Sequence, residues 1–197
     1  MKDQDNNLTA DQRKLNAFID KCVLAYCAFT HQKVLFEEKE SDRKLFEKIS
    51  HQFFWDLNHI LRAYSNLQIC SLTDPAFTVV KKEKKENLTI NNLLETIDWP
   101  TEIKDQLDGK ANQLNTFREK IVSARNKIIA HADCEAHFTG ETLGGFVEGE
   151  DKEFFKVLGD AVNIMHEHLI GGPYDIRPTN AFEPAHKFLV KLRTLEQ

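Results

Sequence analysis

A guanidinium, an amide and an imidazole stand close together in Ser123-Ala124-Arg125-Asn126-Lys127-Ile128-Ile129-Ala130-His131-Ala132-Asp133. Arginine keeps its charge and offers a phosphate a flat fork of donors, while histidine gives or takes a proton near neutral pH. Together these residue types point to phosphodiester chemistry. The bland alternative is a partly buried histidine that bonds a carbonyl at the edge of the core, with Arg125 paired to a surface carboxylate.

The element that must carry these groups is a long amphipathic helix starting near Thr101, although Gly109 weakens its beginning. Leu107, Leu114, Ile121 and Ile128 repeat every seven residues, and Phe117 and Ala124 form a second row that reaches His131 when extended by seven. His131 is therefore expected on the inward seam with Arg125 beside it. On a regular helix, six residues turn the chain through about 600°, which leaves Arg125 and His131 about 120° apart and ~9 Å along the axis. They do not converge on one small target unaided. A two-fold axis near the helix end would bring two arginines and two histidines together, so a homodimer is expected.

The remaining elements are also helical. Thr9 and Gln12 make a capping-box pattern before Leu15, Phe18, Ile19, Cys22, Val23, Tyr26 and Phe29. A second period runs through Leu45, Phe46, Ile49, Phe53, Leu57, Ile60, Leu61, Tyr64 and Leu67, and Thr73-Asp74-Pro75 stops it. A short helix is expected from Ile90 to Ile97, ended by Asp98-Trp99-Pro100, with Trp99 in a packing role. Another spans about Asp151–Ile170, where Phe154, Leu158, Ala161, Val162, Met165 and Leu169 face inward and Gly171-Gly172-Pro173 terminates the run. A last helix follows a second capping-box pattern, Asn180 with Glu183, and places Phe188, Leu189, Leu192 and Leu195 inward. The expected fold is an all-α, up-and-down bundle of five to six helices forming one domain over residues 1–197.

Composition agrees with a globular chain: 197 residues, 41% hydrophobic and 29% charged, with only 8 Gly and 5 Pro. The net charge of −5 argues against a histone-like nucleic-acid binder and leaves room for a local basic cleft. Four cysteines without a CxxC pair, and an opening Met1-Lys2-Asp3-Gln4-Asp5-Asn6-Asn7 with no leader pattern, suggest a reducing cytoplasm. No apolar run approaches the ~20 residues that span a bilayer, so no membrane association is expected.

Three other features compete with the opening motif. Lys81-Lys82-Glu83-Lys84-Lys85-Glu86 could touch a nucleic-acid backbone, but the glutamates dilute its field, and a solvated loop or helix edge is the better reading. His131, Asp133, Cys134 and His137 are ligand-type side chains whose spacing matches no structural zinc pattern, so no metal and no cofactor is expected. Asp133 is more simply a supporting residue that orients the histidine. Residues 138–150 hold Gly140, Gly144, Gly145 and Gly149, a loop or small hairpin placed where a lid over the cleft would sit.

Arg125-Asn126, four intervening residues and His131, at the carboxyl end of a helix in an all-helical chain, resemble the signature of the HEPN superfamily. The Ala130-His131-Ala132-Asp133 end, the Gly-rich insertion and the Leu72-Thr73-Asp74-Pro75 turn further resemble the abortive-infection AbiU-type branch. The resemblance implies a metal-independent endoribonuclease, a toxin or antiviral effector whose cleft forms across a homodimer. RNA would be its substrate and an antitoxin protein a partner. It implies that Arg125 holds the scissile phosphate, that Asn126 orients the phosphate or the partner motif, and that His131 is general base or acid for attack by the ribose 2′-hydroxyl. The alternative from another class is a non-catalytic HEPN module that binds a nucleotide or a protein. Cleavage leaving 2′,3′-cyclic phosphate ends separates the two.

Overall fold

Helix α1 (Ala10–Phe36) begins where its sequence provides both halves of a capping box. Thr9 Oγ1 accepts from the Gln12 N–H at 3.2 Å, and the Gln12 side-chain oxygen accepts from the Thr9 N–H at 2.9 Å. From there the three-and-four spacing buries Leu15, Phe18, Ile19, Cys22, Ala25 and Phe29 along one face. The structure is a computed structural model that describes residues 8–124, 147 and 149–194.

Helix α2 (Glu40–Thr73) returns along α1, as Gln32 bonding Asn58 and Lys21 bonding the Ser71 carbonyl both require. The Lys21 ammonium also meets the Leu88 carbonyl; burial lowers its pKa, and it places a positive group at the carboxyl end of α2. Asp74 ends α2 in an extended conformation ahead of Pro75, as the Thr-Asp-Pro stop predicts. The chain then departs from expectation: residues 77–86 form a two-stranded antiparallel hairpin, β1 (Phe77–Val80) and β2 (Glu83–Glu86), rather than a loop or helix edge. Its two-residue turn puts Lys81 and Lys82 at φ 50° and 72°, the left-handed geometry that matches strand twist. Lys84 lies 3.6 Å from the Phe77 ring centroid, and Lys14 of α1 holds Glu86 at 3.0 Å.

Thr89 caps α3 (Ile90–Thr96) by accepting from the Asn92 N–H. Trp99 is buried and donates its indole N–H to the Leu93 carbonyl, the packing role expected of it. Helices α4 (Thr101–Ala124), α5 (Glu150–Leu169) and α6 (Glu183–Thr194) complete an all-α, up-and-down bundle of six helices among the described residues.

Two apolar clusters hold these elements. The larger joins α1, the end of α2, α3, α4 and α5 around Phe18, Ile69, Leu93, Leu114, Phe155 and Leu158. The smaller joins the end of α1 and the start of α2 to α6 through Val34, Phe36, Leu45, Phe46, Phe54, Ala185, Leu189 and Leu192. In α2 the expected stripe is only partly inward. Leu45 and Phe46 are buried, whereas Ile49, Phe53 and Ile60 are exposed. Ser50 leaves helical geometry (φ −167°, ψ 86°), and beyond it the inward row is Phe54, Ser65, Ile69 and Leu72. Phe188 of α6 likewise faces out while Leu189 and Leu192 face in. No helix among the described residues is long and apolar enough to cross a membrane.

Candidate functional site

Helix α4 leads straight to the arginine–histidine stretch, and its own residues explain how it is held. Leu107, Ala111, Leu114, Phe117 and Ile121 are buried, so the seven-residue row read from the sequence is the face α4 turns to the core. Phe117 packs on Phe154 of α5 with ring centroids 5.2 Å apart. Lys110–Asp160 at 2.8 Å at one end, and a Lys120–Glu150 bond at the other, show the two helices running antiparallel. Arg118 donates to Asp74 at 2.9 Å and fastens α4 to the end of α2. The helix is continuous through Gly109, which has open space where a side chain would begin.

Arg125, Asn126, His131 and Asp133 follow α4 directly and lie outside the described residues, as does the extension of the inward row to Ile128 and His131. The ligand-type set from His131 to His137 lies outside them too, and so does most of the Gly-rich stretch 138–150. At its end, Gly149 occupies the position before α5 with φ 93°, a left-handed conformation suited to glycine. Glu150 closes this corner twice, accepting from the Val147 N–H at 2.8 Å and from Lys120. The Lys120 hydrogen bond is the main reason the Glu150 carboxyl is held below its ordinary pKa.

The surroundings of this corner contain polar groups that the periodicity did not single out. Asp151, in the first turn of α5, is buried yet charged, and its carboxylate meets Lys33 of α1 at 2.6 Å. Lys33 also holds Glu37 at 2.6 Å. Burial alone would lower the Lys33 pKa, but hydrogen bonds and charge from Asp151 and Glu37 outweigh it and hold the ammonium above its usual value. Helix α2 adds Arg62, Ser65 and Asn66 on the same side, lining a cavity with Gln32, Lys33 and Asp151. The signal available in the sequence was Ser65, a polar residue in step with Ile69 and Leu72, which is how a polar group inside a packed face reads.

Across the Phe29–Lys33 turn of α1 a second, larger hollow of about 550 Å³ has a floor of Tyr26, Phe29 and Phe155. Its rim charges are largely spent on one another: Lys156 with Glu153, Arg177 with Asp175, and His186 with Glu38. Two further histidines are likewise engaged in structure. His166 Nδ1 lies 2.9 Å from the Gly172 carbonyl oxygen, and the His168 ring packs on Trp99. Among the described residues, no group of three histidine, cysteine or acidic side chains is arranged to hold a metal ion.

Comparison with known proteins gives one family. The AbiU2 model of HEPN type matches residues 9–189, which includes every helix from α1 to α5, most of α6 and the whole arginine–histidine stretch. Neither a curated protein nor a solved structure matches the chain.

Proposed function

For a chain that belongs to the AbiU2 family of HEPN domains, we propose the function of a metal-independent endoribonuclease. It works as a toxin or abortive-infection effector in the cytoplasm, as a single helical domain that pairs into a homodimer. The observation that carries this reading is the family match over residues 9–189, a range that contains Arg125, Asn126 and His131, beside a helix α4 whose inward row is buried up to Ile121.

The chemistry follows from the residue types. His131 takes the proton from a ribose 2′-hydroxyl, the freed oxygen attacks the adjacent phosphorus, and the bond to the 5′-oxygen of the next nucleotide breaks. The leaving oxygen collects a proton, and the upstream strand ends in a 2′,3′-cyclic phosphate. Arg125 meets charge that grows on the non-bridging oxygens, which is where a preorganised cation accelerates most. Asn126 orients the phosphate or the facing copy of the motif, and Asp133 supports the imidazole. The 2′-hydroxyl requirement confines the reaction to RNA. An overall charge of −5 restricts RNA contact to a local surface, and the same acidity suits a basic antitoxin partner.

Incubating purified protein with mixed RNA in excess chelator, beside His131→Ala, tests the proposal. Cutting with cyclic phosphate ends that disappears in the variant is the expected result, with a loss of at least about a hundredfold. RNA left intact by the unaltered protein under all conditions would instead favour a non-catalytic binding module. Mass measurement in solution is expected to give a dimer, and a strict monomer at micromolar concentration would rule out the shared cleft.

A further inference from the structure

Between α1, α2 and the first turn of α5 lies a cavity of about 260 Å³ whose polar lining is unfinished. Ser65 is 7% exposed and its hydroxyl has no hydrogen-bond partner. A buried donor left in this state is unusual and costs stability unless something fills it. Beside it, among the described residues, the Asn66 amide and the Arg62 guanidinium make no hydrogen bond or ion pair with another side chain, although both line the same space. The floor is apolar, formed by Phe29 and Ile69.

The charges identify what fits. Lys33 is saturated by Asp151 and Glu37, and one ammonium against two carboxylates leaves the inner lining with no spare positive charge, so it gives a bare anion little welcome. A flat, neutral ring with donors and acceptors on its edge meets every part of this surface: carbon faces against Phe29 and Ile69, edge atoms toward Ser65 and Asn66. Ligand pockets for larger molecules begin at about 300 Å³, so this space has the scale of one base rather than a whole nucleotide. Arg62 is exposed, where its fork would reach the phosphate of that same nucleotide outside the cavity. Asp151 adjoins Glu150, the residue bonded to Lys120 one turn before α4 ends. One wall of the cavity, Asp151, is thus next in the chain to a residue tied to the helix that leads to Arg125.

We propose that this cavity is a nucleobase pocket, in which Asn66 and Ser65 read the edge of an unstacked RNA base and Arg62 holds its phosphate. It rests on the ribonuclease reading for its substrate class and deepens it by naming residues that choose where the strand is cut. Single-stranded RNA is read in this way, by bases splayed out and bonded along their edges.

Titrating the full-length protein with each of the four ribonucleoside 5′-monophosphates, and separately with inorganic phosphate, tests the pocket directly. A nucleotide is expected to bind and phosphate alone is not. Asn66→Ala is expected to weaken nucleotide binding about tenfold and Ser65→Ala a few-fold. Ser65→Ala removes an unpaired hydroxyl, so thermal melting should show it folded and no less stable. Arg62→Ala should weaken the nucleotide while leaving the matching nucleoside unchanged. Failure of all four nucleotides to bind, phosphate binding as tightly as they do, or affinity indifferent to Ser65→Ala and Asn66→Ala would each overturn the pocket. The two readings fail separately. RNA cutting whose site preference ignores Asn66→Ala, with no nucleotide binding, sinks the pocket and leaves the nuclease. Nucleotide binding that Asn66→Ala weakens, without any RNA cutting, leaves the pocket and sinks the nuclease.

Discussion

The two apolar clusters differ in how they are closed. Among the described residues, twenty-seven buried side chains from five helices, the Ile97–Trp99 connection and the Ile176 turn interlock in the larger one, and eight from three helices make the smaller. The larger has polar ties such as Lys110–Asp160 and Lys120–Glu150 at its rim and one buried carboxylate, Asp151, held by Lys33, beside a much larger apolar interior. The smaller depends more heavily on a polar tie inside: Asp42 is 2% exposed and takes three bonds from Arg193 of α6, Nε to Oδ1 at 3.0 Å and Nη2 to Oδ1 and Oδ2 at 2.6 and 2.7 Å. What this contrast teaches is a division of labour. The helix that leads to the arginine–histidine stretch belongs to the cluster with the most apolar area removed from water, so its position is set by the strongest part of the fold.

The sharpest way to break that contrast is to cut one leucine from each cluster. Leu158→Ala, in the fully buried row of α5, should lower stability by about 3–5 kcal/mol, and Leu189→Ala in α6 by about 2 kcal/mol because its thinner surroundings can close over the gap. Denaturant unfolding measures both, and equal losses would erase the distinction. Next in size, Arg193→Met leaves the Asp42 carboxylate buried without its partner. The half-exposed arginine already costs little to solvate, so the loss should be about 2–3 kcal/mol. Hydrogen exchange should then quicken in α6 and the start of α2 but not in α4; matched acceleration in α4 would mean that the clusters open as one unit.

The smallest effect concerns the rim of the larger cluster. Glu150 titrates below its ordinary value in the folded chain, so its contribution is complete above about pH 4.5 and fades as pH falls through the lower folded value. Glu150→Gln should therefore flatten the acid limb of the stability–pH curve and leave the neutral plateau nearly unchanged. An acid limb of unaltered slope would show that the Lys120 bond is incidental.

Much of this architecture was legible in the residues themselves, for reasons that are local. The Thr9–Gln12 box, the Asp74-Pro75 stop and the Leu107–Leu114–Ile121 row each need only their own neighbours to act, and each is present. Helix α2 was harder because it carries two apolar rows one residue apart. Ile49, Phe53 and Ile60 look as good as Phe54, Ile69 and Leu72 until the break at Ser50 sets the phase. The hairpin was invisible for a similar reason: its turn residues are Lys81 and Lys82, not the Asn-Gly pair that ordinarily announces such geometry. At the candidate site, sequence supplied the motif, whereas the Ser65–Asn66–Arg62 pocket exists only because α1, α2 and α5 meet.

Gln12 does more than close its own helix. Its amide oxygen accepts from Thr9, while its amide nitrogen donates to the Leu169 carbonyl, 2.6 Å away at the carboxyl end of α5. During synthesis the first of these bonds is ready as soon as α1 leaves the ribosome, and the second must wait for the 157 residues that separate Gln12 from Leu169. The same delay applies to Phe29, whose ring partner Phe155 is made late. A nascent chain can therefore lay α2 along α1 early, while the faces of α1 that meet α5 and then α6 stay uncovered until late in translation.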